Sequence, residues 1–292
     1  MSRTSRREFL VRTSAGLLGA AAVGHLPPLA QAKDLPPLKI SSGVELVPLG
    51  RTGIKTTVLG LGTGTVGGSK QRALGQDGWN KLVREAFDRG IRYIDTADMY
   101  KMHDAVRESI KGLPRDQLFI QTKTTAKNAE KAKADIERFR KELGLETLDT
   151  LLMHCMTKKG WGKDMRPVLD VLLDAKRKGQ VRAVGVSCHG LDPLVDAVDV
   201  EDLDVHLVRI NHNGAKMDAA PEVVAPLMQK MYQKGRGIIG MKIFGEGTFL
   251  KAEDRQAALK YVLGLGCVHC FTIGFVNAAE IDETLAMINS IR

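Results

Sequence analysis

The chain has 292 residues and a formal net charge of +9, and 5% of its residues are aromatic. Because the Lys and Arg residues are spread over many segments and no aromatic stacking platform is visible, we expect no nucleic-acid partner. After residue 32 no linker rich in Pro, Gly or Ser divides the sequence. The remainder, residues 33–292, is therefore expected to form one domain, and about 260 residues is a typical size for a (β/α)8 barrel.

The first 32 residues have the features of an export signal. The sequence SRREFL at 5–10 precedes an apolar stretch at 15–23, and AQA at 30–32 offers an Ala-x-Ala cleavage site. This pattern resembles a twin-arginine signal, which implies the twin-arginine export machinery as a partner and a periplasmic mature protein. The apolar stretch is shorter than the roughly 20 residues of a membrane-spanning helix, so we expect no stable membrane insertion. The alternative interpretation is a basic amphipathic surface helix.

Beyond this segment, strand-like and helix-like patterns alternate eight times. Strands are predicted near 57–62, 91–95, 118–123, 149–154, 181–187, 205–210, 237–242 and 268–273. Helices are predicted near 78–89, 103–112, 128–143, 165–178, 191–199, 219–234, 252–263 and 278–289. Such alternation predicts parallel strands joined by crossover helices, and eight units allow closure into an α/β fold of the (β/α)8 TIM barrel type. Residues 44–56 predict a β-hairpin ahead of the barrel.

Four polar residues, Asp95, Tyr100, Lys123 and His154, lie at or just beyond the ends of three successive predicted strands. In a (β/α)8 barrel such positions surround the catalytic face. A phenol has a pKa of about 10, and a neighbouring ammonium lowers that value. The sequence therefore predicts that Tyr100 donates a proton to a carbonyl oxygen, that Lys123 assists as the cation held by Asp95, and that His154 orients the carbonyl. Taken singly, each residue would also suit an ordinary structural role.

These residues and the segments around them resemble the aldo-keto reductase family. The matching segments are LGRTG at 49–53, LGLGTG at 59–64, IDTADMY at 94–100 and VGVS at 184–187. The resemblance implies an NAD(P)H-dependent oxidoreductase that reduces an aldehyde or ketone to an alcohol, with a small carbonyl compound as substrate. It also implies that the four polar residues are the catalytic tetrad. No metal site is expected.

The resemblance implies a nucleotide site as well, from which this sequence departs in two places. Ser187 matches a family residue that holds the nicotinamide carboxamide, but Cys188 stands where Asn is usual and Leu207 where Gln is usual. Each lost hydrogen bond would weaken binding by about 0.5–1.5 kcal/mol. Cys188 would otherwise only end a strand.

The segment after the eighth strand bears on the choice of nucleotide. The N–H groups that open its helix would receive a phosphate, yet no Lys or Arg lies between residues 274 and 284, and Glu280 would repel a 2′-phosphate. Lys242 either substitutes as the cation or is a loop charge, so we expect NADP or NAD as the cofactor. The candidate cofactor residues are Ser187, Cys188, Lys242, Gly274, Phe275 and Asn277.

Cys267 and Cys270 form the strongest competing motif. Their spacing suits a thiol redox pair or half of a metal site, and export would permit a disulfide. They lie at the start of the eighth strand and away from the tetrad, which favours buried core cysteines. The departures at Cys188 and Leu207 suggest a second alternative, a non-catalytic nucleotide-binding barrel, against which the intact tetrad argues.

Overall fold

The computed structural model describes residues 34–291 of the chain. The predicted export signal at 1–32 and its cleavage site lie outside these residues. Among the helices of the described part, none has both the length and the apolar character that a membrane span requires.

A two-stranded antiparallel hairpin precedes the barrel, as predicted. Strand β1, Leu46–Pro48, pairs with strand β2, Lys55–Thr57. Gly50 begins the turn with φ +54°, and a Cβ there would lie 2.4 Å from the backbone nitrogen of Gly237. Only glycine tolerates both this conformation and this approach. The turn therefore packs directly on the barrel.

Eight parallel strands form the closed barrel. They are β3 Leu59–Gly62, β4 Tyr93–Asp95, β5 Phe119–Thr124, β6 Leu148–Met156, β7 Val181–Cys188, β8 Val205–Arg209, β9 Gly237–Met241 and β10 Cys270–Ile273. Each strand pairs with the next along the chain, and β10 pairs with β3 to close the circle. The predicted (β/α)8 TIM barrel with an N-terminal β-hairpin is confirmed.

The helices lie between the strands. They are α1 Ser69–Arg72, α2 Gly75–Asp88, α3 His103–Ile110, α4 Ala129–Leu143, α5 Trp161–Asp164, α6 Arg166–Arg177, α7 Leu191–Asp199, α8 Pro221–Gln233, α9 Ala252–Gly264 and α10 Ala278–Ser290. The short helices α1 and α5 and two 3-10 turns, Asp98–Tyr100 and Arg115–Gln117, were not predicted. Single helical turns of this kind carry no amphipathic period that a sequence pattern would show.

Apolar side chains fill the lower part of the barrel interior. Every second residue of a strand faces inward, and the inward set forms one buried apolar cluster. Leu49 and Ile54 from the hairpin belong to it and close the amino-terminal end. A larger cluster lies between the strands and the helices. Because the lower end is filled, a ligand reaches the barrel from the carboxyl ends of the strands.

Candidate active site

Three of the predicted catalytic residues are the last inward-facing side chains of neighbouring strands. In β5, Phe119 lies in the apolar interior, Gln121 follows it on the same face, and Lys123 comes last. The same period of two places Asp95 at the end of β4 and His154 near the end of β6. All three are buried. The strand register, rather than the loops, therefore brings these groups together.

Lys123 and Asp95 form a buried ion pair. The ammonium nitrogen of Lys123 lies 2.6 Å from Asp95 Oδ1 and donates a second hydrogen bond to the carbonyl oxygen of Thr96 at 2.8 Å. Gln121 Nε2 also donates to Asp95 Oδ1, at 2.7 Å. Burial lowers the pKa of Lys123, and the charge of Asp95 opposes that shift. A buried charge needs such partners, and here they hold the ammonium in one place.

Tyr100 ends the 3-10 turn that follows β4, and its ring lies over Lys123. The ammonium nitrogen is 4.9 Å from the ring centroid. Gly64 faces the other part of the ring, because a Cβ at that position would come within 2.7 Å of the ring atoms. Gly64 thus leaves room for the phenol. The four predicted catalytic residues come from three segments of the chain: β4 with the turn after it, β5 and β6.

Burial raises the pKa of Tyr100, and the negative charge of Asp95 adds to the shift. Burial therefore outweighs the lowering of this pKa that the sequence predicted from Lys123. The ammonium is paired with Asp95 at 2.6 Å, and the carboxylate offsets part of the effect of the ammonium on the phenolate. Tyr100 stays protonated, and a protonated phenol is the form that a proton donor must have.

His154 stands edge-on to the Tyr100 ring, with the ring centroids 5.6 Å apart. Burial, followed by the charge of Lys123, lowers the pKa of His154 to about 3. The imidazole is therefore neutral, with one donor and one acceptor nitrogen. Its buried Nδ1 has no hydrogen-bond partner within the described part of the chain. A neutral ring of this kind suits a hydrogen bond to a substrate oxygen.

An open groove leads away from the tetrad. It has a volume of about 340 Å³, begins at Asp95 and Tyr100, and follows the ends of β3, β9 and β10 to the start of α10. Gly274 and Thr65, which both border the groove, pack closely, because a Cβ at Gly274 would lie 1.9 Å from Thr65 Oγ1. The hydroxyl of Thr272, which borders the groove, is buried and has no partner among residues 34–291. An elongated groove with an unused polar group fits an extended nucleotide.

The comparison with known families settles which family this geometry belongs to. The model of the aldo/keto reductase family matches residues 58–288. The chain belongs to the aldo/keto reductase family. Membership confirms the predictions of an oxidoreductase and of NADP or NAD as its cofactor.

The individual relatives either have low sequence identity to this chain or match only part of it. D-threo-aldose 1-dehydrogenase of a Pseudomonas species is 24% identical over 237 residues, which are 70% of each chain. The 9,11-endoperoxide prostaglandin H2 reductase of Trypanosoma cruzi is 38% identical over 109 residues, 36% of this chain and 37% of that protein. An aldo-keto reductase of Mycobacterium avium is 32% identical over 152 residues, 51% of this chain and 50% of that protein. The chain thus matches half or less of the latter two relatives.

Solved structures share the fold at low identity. A putative aldo-keto reductase from Pseudomonas aeruginosa superposes with a TM-score of 0.72 at 22% identity, covering 87% of this chain and 98% of that one. The holo form of an aldo-keto reductase from Bacillus halodurans gives 0.69 at 16% identity, with 84% and 91% covered. At these identities the likeness concerns the barrel alone.

Two residues predicted for the nicotinamide end of this family's cofactor site each form a hydrogen bond within the protein. The hydroxyl of Ser187 accepts the backbone N–H of Cys155 at 2.9 Å. The Cys188 thiol is buried and donates to the carbonyl oxygen of Pro193 at 3.3 Å, and burial raises its pKa. In the described part of the chain neither residue borders the groove. Cys188 therefore ends its strand as a core residue, and Leu207 likewise belongs to the barrel interior.

The opposite end of the groove is formed by the start of α10. Gly274 and Phe275 border it, whereas Asn277 caps the helix. Asn277 Oδ1 accepts the N–H of Glu280 at 3.0 Å, and Glu280 Oε2 accepts the N–H of Val276 at 2.9 Å. This is a reciprocal capping arrangement. The N–H groups of Val276 and Glu280 are thus satisfied within the chain. That the other N–H groups opening this helix receive a phosphate stays a prediction.

Two cations of the described residues border the groove, and the sequence analysis identified only Lys242. Lys242 follows β9 with φ +59° and contacts the Glu246 carboxylate. Arg255 of α9, which no sequence pattern singled out, donates to Glu283 Oε1 at 2.5 Å and to the carbonyl oxygen of Leu250 at 2.8 Å. Its position in the first turn of a helix after the seventh strand was the available signal.

A polar cluster lies beside the four predicted catalytic residues, and the sequence analysis did not identify it. Cys155 Sγ lies 3.1 Å from His189 Nδ1, and the same nitrogen contacts the Arg209 guanidinium. Arg209 also donates to Asp218 Oδ1 at 3.1 Å. The rings of His154 and His189 lie edge to face, with centroids 6.2 Å apart. The space next to His154 is therefore polar, although four different loops or strand ends contribute to it.

The competing cysteine motif lies apart from this site. Cys267 and Cys270 are both free and buried, and Cys270 belongs to the apolar barrel interior. Burial raises the pKa of both thiols, that of Cys267 to about 12. A thiol that is hard to ionise is a poor redox nucleophile. Residues 34–291 contain no cluster of three or more potential metal ligands. The two cysteines therefore fit the core interpretation.

Proposed function

We propose that this aldo/keto reductase reduces an aldehyde or ketone to the corresponding alcohol, with Tyr100 as its proton donor. The observation that carries the proposal is the buried pair of Lys123 and Asp95, 2.6 Å apart, directly beneath the Tyr100 ring. The cofactor, when bound in the groove, supplies the hydride to the carbonyl carbon. The groove starts at Tyr100, so the reacting carbon and the phenol would meet at this end.

The chain's own residues handle the proton. Tyr100 is protonated because burial raises its pKa, and it gives up its proton only when a stronger base, the developing alkoxide, is in contact. The ammonium of Lys123 lies 4.9 Å from the ring centroid and stabilises the phenolate that remains. Asp95 keeps the ammonium in position. Such general acid catalysis is worth about 10²–10⁴ in rate.

His154 orients the carbonyl in this proposal. Its pKa of about 3 keeps the ring neutral, so its N–H donor is present throughout the physiological range. A hydrogen bond from this neutral ring would place the carbonyl oxygen next to the Tyr100 hydroxyl. We assign His154 to binding and orientation rather than to proton transfer, because a ring with so low a pKa does not carry the second, acidic proton that a general acid would give.

The direct test follows oxidation of NADH and of NADPH by the purified protein with a panel of carbonyl compounds. The panel includes an aldose and methylglyoxal, since relatives carry the names D-threo-aldose 1-dehydrogenase and methylglyoxal reductase. Oxidation with at least one compound is expected. If either nucleotide binds but none of the compounds is reduced, the barrel is a non-catalytic nucleotide-binding protein.

We also propose that residues 1–32 direct the protein to the periplasm through the twin-arginine machinery, leaving a mature domain of residues 33–292. The support is the sequence SRREFL at 5–10, the apolar stretch at 15–23 and AQA at 30–32. The resemblance implies that this route transports folded proteins. That would allow the barrel to acquire its nucleotide in the cytoplasm.

A further inference from the structure

The groove has two chemically different ends. One end is formed by Asp95 and Tyr100, where the reacting part of a nicotinamide nucleotide would have to lie under the proposed function. The other end is bordered by Arg255 of α9 and by Glu280 and Glu283 of α10. An extended dinucleotide with its nicotinamide at Tyr100 would therefore place its adenosine at the α9–α10 end.

Both cations along this half of the groove are already neutralised. Lys242 contacts the Glu246 carboxylate, and Arg255 is bound to Glu283 at 2.5 Å. Arg255 is further fixed by its hydrogen bond to the carbonyl oxygen of Leu250 at 2.8 Å. Because a carboxylate already lies against each cation, the net positive charge that an incoming phosphate would meet is reduced. Neither is a free anion-binding group.

Glu280 leaves a negative charge at this end. It has no ion-pair partner within residues 34–291, since its carboxylate accepts the N–H of Val276 at 2.9 Å and a longer hydrogen bond from Asn277 Nδ2 at 3.3 Å. This carboxylate lies at a helix start, a place that commonly attracts phosphate groups, so a phosphate bound there would meet a negative charge of the chain itself. The three carboxylates Glu246, Glu280 and Glu283 thus outnumber the two cations.

We propose that this enzyme binds NADH in preference to NADPH, with Glu280 and Glu283 as the residues that set the preference. The inference rests on the proposed function, because it assumes that the groove holds a nicotinamide nucleotide. The 2′-hydroxyl of NADH can donate a hydrogen bond to a carboxylate, a contact that dinucleotide sites of other folds use. The 2′-phosphate of NADPH carries between one and two negative charges and meets carboxylates without a free cation.

Isothermal titration calorimetry of the full chain with NADH and with NADPH measures the preference without relying on turnover. At low salt we expect NADH to bind at least about tenfold more tightly, a ratio that corresponds to ~1.4 kcal/mol. Added salt should narrow the ratio, because it screens the repulsion. AMP and adenosine 2′,5′-bisphosphate should show the same order, since they differ by the 2′-phosphate and carry no nicotinamide.

Variants that remove one negative charge test which residues cause the preference for NADH over NADPH. In Glu280→Gln the amide oxygen preserves the capping hydrogen bond while the charge is lost, and in Glu283→Gln the pairing of Arg255 is weakened. Each should bind NADPH more tightly and reduce the ratio severalfold, about the effect of one charge on a nearby anion. The matched control is Asp282→Asn on the same helix, whose carboxylate pairs with Arg89 and does not border the groove. It should leave the ratio unchanged.

The outcomes separate the two proposals. Equal or tighter binding of NADPH by the unaltered protein would overturn the inference and leave the proposed reductase activity standing. A shift in Asp282→Asn as large as that in Glu280→Gln would also overturn it, because net charge rather than the groove would be responsible. If neither nucleotide bound at all, the proposed function would fail and this inference with it.

Discussion

Lys123 Nζ lies 2.6 Å from Asp95 Oδ1 at the mouth of the barrel, and the two side chains are 0% and 5% exposed. Burying two charges this deeply costs desolvation free energy. Their mutual attraction offsets that cost only while both charges are present. The pair therefore links the stability of the barrel to the position of the Lys123 ammonium.

Removing one member of this pair should be strongly destabilising. Lys123→Met or Asp95→Asn is expected to lower the free energy of unfolding by about 3–5 kcal/mol, because each leaves an uncompensated buried group. The double variant should lose much less than the sum of the two single losses. Urea denaturation of the four proteins measures the coupling. The exposed pair of Lys178 and Asp174 serves as the control, and its two substitutions should lower the free energy of unfolding almost independently. If the losses at Lys123 and Asp95 were also additive, the ion-pair account would be contradicted.

Tyr100→Phe should separate binding from chemistry. Tyr100 borders the groove and its hydroxyl has no hydrogen-bond partner among residues 34–291, so removing the hydroxyl should leave the fold and the NADH dissociation constant almost unchanged. Turnover should fall by about 10²–10⁴, the usual value of a general acid. Steady-state kinetics and calorimetry measure the two effects. Tyr261→Phe, on α9 and away from the groove, should retain full turnover. A Tyr100→Phe enzyme as fast as the unaltered protein would remove this residue from the reaction.

Buried neutral histidines should make the protein sensitive to acid. Burial lowers the pKa of His154 and His206 to about 3 and that of His189 and His269 to about 4. Between these values and the unfolded pKa of about 6.5, the unfolded chain binds more protons than the folded one. The contribution of these histidines to the free energy of unfolding is therefore complete above about pH 6.5. It is lost progressively as the pH falls below that value.

Urea denaturation between pH 8 and pH 5, about the range over which unperturbed histidines change charge, measures this dependence. His206, which lies 3.2 Å from Arg236 Nη1 below the active site, allows a test away from the tetrad. His206→Gln should reduce the slope by up to about 1.4 kcal/mol per pH unit, the effect of one proton. A stability that does not change between pH 7 and pH 5 would show that these rings are not held neutral.

Export can be tested on the arginine pair alone. Replacing Arg6 and Arg7 together by Lys keeps the charge but removes the guanidinium groups on which a twin-arginine signal is based. The variant should remain in the cytoplasm as an uncleaved precursor, which cell fractionation and immunoblotting would detect. The matched control replaces Arg3 and Arg12 by Lys and should be exported normally. Arrival of the Arg6/Arg7 variant in the periplasm would refute the signal proposal.

The sequence by itself determined the barrel and the grouping of Asp95, Lys123 and His154 at one end of it. Eight alternations of strand and helix patterns predicted the strands and the main helices to within three residues of their observed bounds, because these periods are local properties of the chain. The period of two along each strand also decided which side chains face inward. Asp95, Lys123 and His154 were therefore predictable as one group.

Only the tertiary structure decided the charges along the groove and the protonation of the site. Arg255 and Glu283 are 28 positions apart, and Cys155 and His189 are 34 apart, so no local pattern reveals that they touch. The pKa of Tyr100 depends on burial, which exists only when the loops around it are packed. Whether the start of α10 is open to a phosphate likewise depends on where the Glu280 side chain folds back. These properties arise from side-chain pairing across distant segments, and the linear sequence does not encode the distances that set them.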